Sequence, residues 1–217
     1  MRKFTGMACI VLGILCLAAA VAVAVYNRQE EETGASASQT LLQDLQVRME
    51  ENTPTAPVET QQPASSGGTF SQELLPEPTV PQMQTIPVEA GECIGVLSIP
   101  VLELELPVLT DWSYEKLKKA PCHYYGSCYE PNFVIAAHNF RSHFGRLSQL
   151  LPGDLVLFTD VTGQVHGYEV VLLETLPATA TEEMITSGFD LSLYTCTPGG
   201  ASRVTVRCNA ISQQKGD

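Results

Sequence analysis

No charged side chain occurs between Lys3 and Arg28, and Phe4 to Val25 is a run of 22 residues dominated by Ala, Val, Leu and Ile. Such a run has one favourable form, a membrane-crossing helix. A bilayer is spanned by about 20 apolar helical residues, and a helix satisfies its own backbone where no water is present. Arg2 and Lys3 precede the run and Asn27-Arg28-Gln29-Glu30-Glu31-Glu32 follows it, so the excess of basic residues places the short N-terminus in the cytoplasm. Residues 1–26 are therefore expected to be a cytoplasmic N-terminus and single-pass signal-anchor, with all that follows extracytoplasmic. The competing reading is a cleaved secretory signal, because Ala18-Ala19-Ala20 and Ala22-Val23-Ala24 resemble cleavage sites. The apolar run is longer than the usual signal core of about 7 to 15 residues. Leu15 is too bulky for a lipid-attachment site before Cys16, so Cys9 and Cys16 read as membrane-embedded thiols.

Residues 27–88 change character. They hold 7 of the 14 prolines, with much Gln, Ser and Thr, and residues 27–92 carry eleven acidic and only two basic side chains. A segment of this composition buries too little apolar surface to fold alone. It is expected to be an acidic, flexible linker with a reach of roughly 40 to 50 Å. Within it, Leu41, Leu42, Leu45 and Met49 have the spacing of a short amphipathic helix over 40–50, either docked on the domain or transient. The acidity, with a formal net charge of −12 for the whole chain, argues against nucleic acid as a partner.

Residues 89–217 are of a size that makes one domain around one core. The pattern is mostly β. Strands are expected over 93–99, 102–106, 132–138, 154–158, 165–173, 191–196 and 203–210, and short helices over 113–119, 144–151 and 182–187. Several short strands separated by Gly and Pro turns indicate an antiparallel barrel or sandwich.

One hairpin carries chemistry. Pro198-Gly199-Gly200 separates two alternating runs, Leu191 to Cys196 and Arg203 to Ala210. With a loop over Thr197 to Ser202, Cys196 faces Arg203 directly, at roughly 5 Å between Cβ atoms. Arg207 then pairs with Ser192, roughly 14 Å further along the strand. Arg203 is thus the arginine able to serve the same reacting atom as Cys196.

With these residues stand Ala136-Ala137-His138-Asn139, Leu150-Leu151-Pro152-Gly153-Asp154 and Leu193-Tyr194-Thr195-Cys196, and Arg203 opens the last strand. Over residues 93–210 the chain resembles the sortases, bacterial cysteine transpeptidases, in their order of His, Cys and Arg. One departure is Ser192, where the family usually has Thr. Papain-like enzymes place Cys before His, and the Ser-His-Gly-Cys motif of L,D-transpeptidases is absent. The resemblance implies a closed β-barrel of sortase type with a few short helices, preceded by one transmembrane helix and the linker. It implies His138, Cys196 and Arg203 as the catalytic set. Asn139, Ser192, Tyr194, Thr195 and Thr197, which flank that set, are the expected substrate contacts.

The chemistry implied is acyl transfer. A thiol with a pKa of about 8.5 is mostly protonated at neutral pH, so the nucleophile needs a neighbour that manages its proton. His138 can protonate the departing amine and later deprotonate the incoming one. Arg203 can stabilise an oxyanion or clamp the substrate backbone. The implied donor is a secreted protein with a sorting motif similar to Leu-Pro-x-Thr-Gly, cleaved after Thr. The implied acceptor is an amine on a peptidoglycan precursor or a pilin-like protein. Two other readings are a peptide hydrolase without transfer and a noncatalytic wall-facing binding domain.

Blander roles fit the remaining candidates. Cys208 shares a face with Val204 and Val206 and reads as a core thiol. Cys122 with Cys128, and Cys93 with Cys208, are pairings that export permits and sequence does not decide. Cys122, Cys128, His138 and His143 have spacings unlike a zinc site, and His123, His143 and His166 read as surface or packing residues. No cofactor motif is present. Calcium, bound by scattered carboxylates in some sortases, is not assigned by one sequence. Leu176-Pro177-Ala178-Thr179-Ala180 looks like a sorting motif but lacks the apolar segment and basic tail that should follow. His138-Asn139-Phe140-Arg141-Ser142-His143-Phe144-Gly145 resembles class B, the connection from 173 to 191 is too short for the long helix of class B, and Thr197-Pro198 resembles classes C and D. The Asp-Pro-aromatic lid motif expected of class C before the first strand is not found, so a B-like or D-like anchoring enzyme is expected.

Overall fold

A computed structural model describes residues 2–52 and 82–211, with side chains from residue 10 onward. Helix α1 runs unbroken over Arg2–Asn52. Its N-terminal part is long and apolar enough to cross a membrane, and Ile10 to Val25 project their side chains outward. The expected linker does not begin at residue 27. Residues 27–52 continue the helix because no proline occurs before Pro54 and because one face has somewhere to pack. Leu41 and Leu45 are buried, against Val96, Leu109 and Cys122 of the barrel. The helix anticipated over 40–50 is thus the docked end of α1. Of the rest of the stretch expected to be linker, residues 53–81 lie outside the described residues, and Ile86–Val88 form a strand paired with the barrel, so the domain begins before the expected residue 89.

Among the described residues nine strands follow: β1 (Ile86–Val88), β2 (Gly91–Ile99), β3 (Leu104–Leu109), β4 (Cys122–Tyr125), β5 (Phe133–Ala136), β6 (Leu155–Asp160), β7 (Val165–Pro177), β8 (Leu191–Cys196) and β9 (Ser202–Ala210). Strands β2 to β9 form a barrel in the order β2-β3-β4-β5-β8-β9-β7-β6, closed by pairing of β6 with β2, while β1 adds to the start of β2. Gly95 lies where β2 passes from β1 to β6. A Cβ there would fall 2.2 Å from the Thr159 carbonyl oxygen, so this crossing excludes any side chain. Two short helices, α2 (Tyr114–Leu117) and α3 (Thr181–Ile185), lie between strands. The helix expected over 144–151 is only a turn of 3-10 helix at Leu147–Gln149.

Strands β1 and β4 are additions to the expected set. β1 is only three residues long and contains Pro87, which demotes a run to edge strand or loop. Cys122-His123-Tyr124-Tyr125 is short, does not alternate, and stands between Pro121 and Gly126, so β4 offered no periodic signal. The barrel interior is filled by residues such as Leu97, Phe133, Ile135, Phe158, Leu193 and Val206.

The pairing that positions the functional residues is β5 with β8. These strands are parallel, with Ala136 beside Tyr194. A parallel pair delivers both C-terminal ends to the same rim of a sheet. The next residues but one are His138 and Cys196.

Candidate active site

The rim is locked by side-chain and backbone bonds. The Ala137 amide donates to the Tyr194 carbonyl at 3.1 Å, and the buried Thr195 hydroxyl donates back to the Ala137 carbonyl at 2.9 Å. His138 and Cys196 leave this clamp together, each one residue beyond it. Strand β8 then turns into β9 in the register expected from the Pro-Gly-Gly loop: Cys196 opposes Arg203 and Ser192 opposes Arg207. The loop is closed by the Thr197 amide on the Ser202 carbonyl at 3.0 Å and by the Ser202 amide on Thr197 Oγ1 at 3.1 Å. Arg203 is half-buried, its guanidinium donating to the carbonyls of Gly200 at 3.0 Å and Ser202 at 3.2 Å.

Cys196 is singled out among the barrel thiols by exposure. Cys93, Cys122, Cys128 and Cys208 are all free and buried, whereas Cys196 is free and half-exposed. Desolvation pushes each of the four buried thiols up to about 12, which leaves them without thiolate at neutral pH. Neither disulfide that export would permit is formed.

His138 is half-buried, and its ring stacks on Phe140 at 4.1 Å between centroids with 24° between planes. Its Nδ1 is buried without a hydrogen-bond partner. Desolvation holds the imidazole below its ordinary pKa, opposed by the Glu30 carboxylate and the Asn139 amide and reinforced by Lys118. The ring is therefore neutral at neutral pH and able to accept a proton. Neighbouring His143 has no exposed surface, and neither ring nitrogen makes a hydrogen bond.

Cys196 and Arg203 open into a cleft. Its floor includes Ala136 and Ala137, and its walls include Tyr124, Tyr194, Ala178, Ala180 and Met184. Tyr194 meets Tyr124 edge to face at 5.4 Å, and Tyr124 meets Trp112 at 5.9 Å, so aromatic rings run outward from the thiol. Trp112 and Tyr114 were not anticipated as site residues. They are large aromatics exposed by 46% and 77%, Trp112 in the loop before α2 and Tyr114 opening α2. Tyr124 was hidden with the unrecognised β4.

Of the expected substrate contacts, Tyr194 alone lines this cleft. Ser192 is fully buried and accepts from Arg207 at 2.8 Å, Thr195 is taken up by Ala137, and Thr197 closes the β8–β9 loop. Asn139 is half-buried beside His138. For Ser192 and Thr195 the substrate reading gives way to a structural one, because a buried hydroxyl is held by the partner it needs. The segment that looks like a sorting motif forms part of the wall. Leu176 and Pro177 pair with Arg203 and Ser202, the Ala178 amide donates to the Ala201 carbonyl and the Ala180 amide to the Pro177 carbonyl.

Arg207 holds α3 beside the cleft. It is 2% exposed and donates to Glu174 at 2.7 Å, to Ser192, and to the carbonyls of Met184 and Glu183. Elsewhere, ligand-type atoms of Cys128, Asp160 and His166 lie within 4.8 Å of one another. Their local bonding points to a hairpin anchor rather than a metal centre. Asp160 Oδ1 accepts from the Thr162 amide and hydroxyl and the Gln164 amide, and Oδ2 lies 3.0 Å from the donating Tyr129 hydroxyl and 3.1 Å from His166 Nε2. Both oxygens are already engaged in holding the turn between β6 and β7.

A family model described as the sortase domain matches residues 97–211. Among solved structures, sortase A from Corynebacterium diphtheriae is 22% identical with a TM-score of 0.51, over 58% of this chain and 63% of that one. The pilus-related sortase C of Group B Streptococcus is 26% identical with a TM-score of 0.50, over 56% of this chain and 69% of that one. No curated protein sequence matches the chain.

Proposed function

This chain belongs to the sortase family of cysteine transpeptidases, and from that premise we propose that Cys196 is its nucleophile, His138 its proton shuttle and Arg203 its third catalytic residue. The observation that carries the reading is the common rim of β5 and β8. His138 and Cys196, the one half-exposed barrel thiol, each come two residues after the paired Ala136 and Tyr194 on that rim, and Cys196 is directly across a strand pair from Arg203, which supports the reading.

The proposed donor is a secreted protein ending in a sorting motif similar to Leu-Pro-x-Thr-Gly, laid in the aromatic and alanine-lined cleft. Cys196 loses its proton to the neutral His138 and attacks the carbonyl carbon of the Thr residue. The oxyanion that forms is stabilised by the fixed charge of Arg203. The C–N bond breaks as His138 returns its proton to the departing amine, leaving a thioester on Cys196. In the second half-reaction an acceptor amine attacks the thioester, His138 takes the amine's proton, the C–S bond breaks to release the Cys196 thiolate, and His138 returns the proton to it. Exclusion of water by the apolar cleft favours the amine over hydrolysis. The acceptor proposed is an amine of a cell-wall precursor or of another secreted protein. The apolar part of α1 holds the enzyme in the membrane, and Arg2 and Lys3 orient the barrel outward.

The test is mass spectrometry of the full chain in detergent with a panel of sorting-motif peptides, with and without an amine acceptor, beside Cys196→Ala. A thioacyl adduct on Cys196 and an amine-dependent ligated product support the transpeptidase assignment. Cleavage without ligation points to a hydrolase. No adduct with folded protein across the panel points to a binding domain.

A further inference from the structure

Helix α1 does more than anchor the barrel. Mid-helix glycine costs about 1 kcal/mol relative to alanine, yet Gly34 stands well inside α1 and is buried. The reason is close approach. A Cβ at Gly34 would lie 2.8 Å from both the Lys118 carbonyl oxygen and Cε2 of Phe140. Phe140 is the ring stacked on His138. On the preceding turn of the helix, the Glu31 carboxylate accepts the Arg141 amide at 2.8 Å and the Glu30 carboxylate pairs with Lys118 at 3.1 Å. Two residues of α1 therefore grip the loop that carries the histidine, one on its aromatic ring and one on its backbone, and a third holds the turn after α2.

We infer that the Glu30–Gly34 turn of α1 is a positioning element of the active site: it seats Phe140, and Phe140 fixes the plane of the His138 imidazole against which Cys196 exchanges its proton. This rests on the assignment of His138 and Cys196 above. A ring held on one face by a stacked phenyl has fewer orientations, and proton transfer between two side chains depends steeply on orientation. The helix that has a membrane-length apolar segment and the histidine are then parts of one packed unit. A barrel cut free of residues 1–52 lacks the helix turn on which Phe140 and the histidine loop rest.

The experiment uses the full chain in detergent. Cys196 alkylation by iodoacetamide is followed against pH by peptide mass spectrometry, which needs no knowledge of the sorting motif, and His138 is titrated by NMR of histidine-labelled protein. The groups facing its ring are Glu30 from α1 and Asn139 from its own loop, which favour its charged form, with Lys118 after α2 and His143 opposing it. Phe140→Ala leaves Glu30 in place and uncovers the ring, so the His138 pKa rises toward its ordinary value. In both Phe140→Ala and Gly34→Val, alkylation at neutral pH slows about fivefold or more. Phe140→Trp, which keeps a stacking ring, retains most of the rate. Gly13→Ala, in the same helix with nothing within 4 Å of the added carbon, leaves it unchanged. Circular dichroism melts establish that each variant is folded. If His138→Asn slows Cys196 but Gly34→Val and Phe140→Ala do not, the positioning role is overturned while the catalytic pair stands. If His138→Asn has no effect on Cys196, the catalytic pair is overturned and the positioning role with it.

Discussion

The Thr195 hydroxyl donates to the Ala137 carbonyl at 2.9 Å across two parallel strands, and the residue after each is a member of the proposed catalytic pair. This one bond fixes the separation of His138 and Cys196 at its root. Thr195→Val keeps the side chain's shape and leaves a buried carbonyl unpaired. It is expected to cost about 1 to 3 kcal/mol in chemical denaturation. Thioester formation is expected to slow by about tenfold or more, because a shift of the rim misplaces thiol and imidazole together. Thr195→Ser, which keeps the hydroxyl, should restore most of the rate.

Arg207 is buried with its charge met by Glu174, a hydroxyl and two carbonyls. Arg207→Met should lower stability by about 3 kcal/mol, toward the lower end for breaking a buried pair because the Glu174 carboxylate is 31% exposed and can be rehydrated. The same change frees α3, which carries Met184 into the cleft. The kinetic signature is a raised KM for a sorting-motif peptide with a smaller change in kcat, measured in variants that remain folded.

Much of this arrangement was legible in residue order. The alternation of Leu191 to Cys196 and Arg203 to Ala210 around Pro198-Gly199-Gly200 yields the observed register, so residue order alone pairs Cys196 with Arg203 and sets Arg207 aside. The neighbouring of β5 and β8 is not legible in this way, because parallel strands far apart in sequence leave no turn chemistry to announce them. Composition also misled over residues 27–52. The stripe of Leu41 and Leu45 was legible as a helix over 40–50, but its docking on the barrel face at Val96, Leu109 and Cys122, and the continuation of the helix through the acidic residues before it, were not. Phe140 and Gly34 were invisible for the same reason, since each matters through a contact over 100 residues away along the chain.

The burial of the four barrel thiols gives a labelling prediction. Iodoacetamide under native conditions should modify Cys196 well before Cys93, Cys122, Cys128 or Cys208, each of which desolvation holds near 12. Peptide mass spectrometry after short exposure reads the order directly. Comparable early labelling of any buried thiol would contradict the barrel packing at that position.

His143 makes the fold sensitive to acid. Burial, with the nearby His138 adding to it, lowers the imidazole to about 4 in the folded protein, while unfolding returns it to 6.5. Below 6.5 the unfolded chain takes up a proton that the folded one refuses, so stability falls as pH drops from 6.5 toward 4 and this contribution levels off below that. The full difference is about 3 kcal/mol, since each pKa unit corresponds to about 1.4 kcal/mol. Urea denaturation at a series of pH values should show this loss, and His143→Phe should remove most of it while leaving the pH 8 stability little changed. A slope between pH 6.5 and 4 that persists undiminished in His143→Phe would assign the acid sensitivity to other groups. His138, also lowered by desolvation, contributes a slope of the same sign.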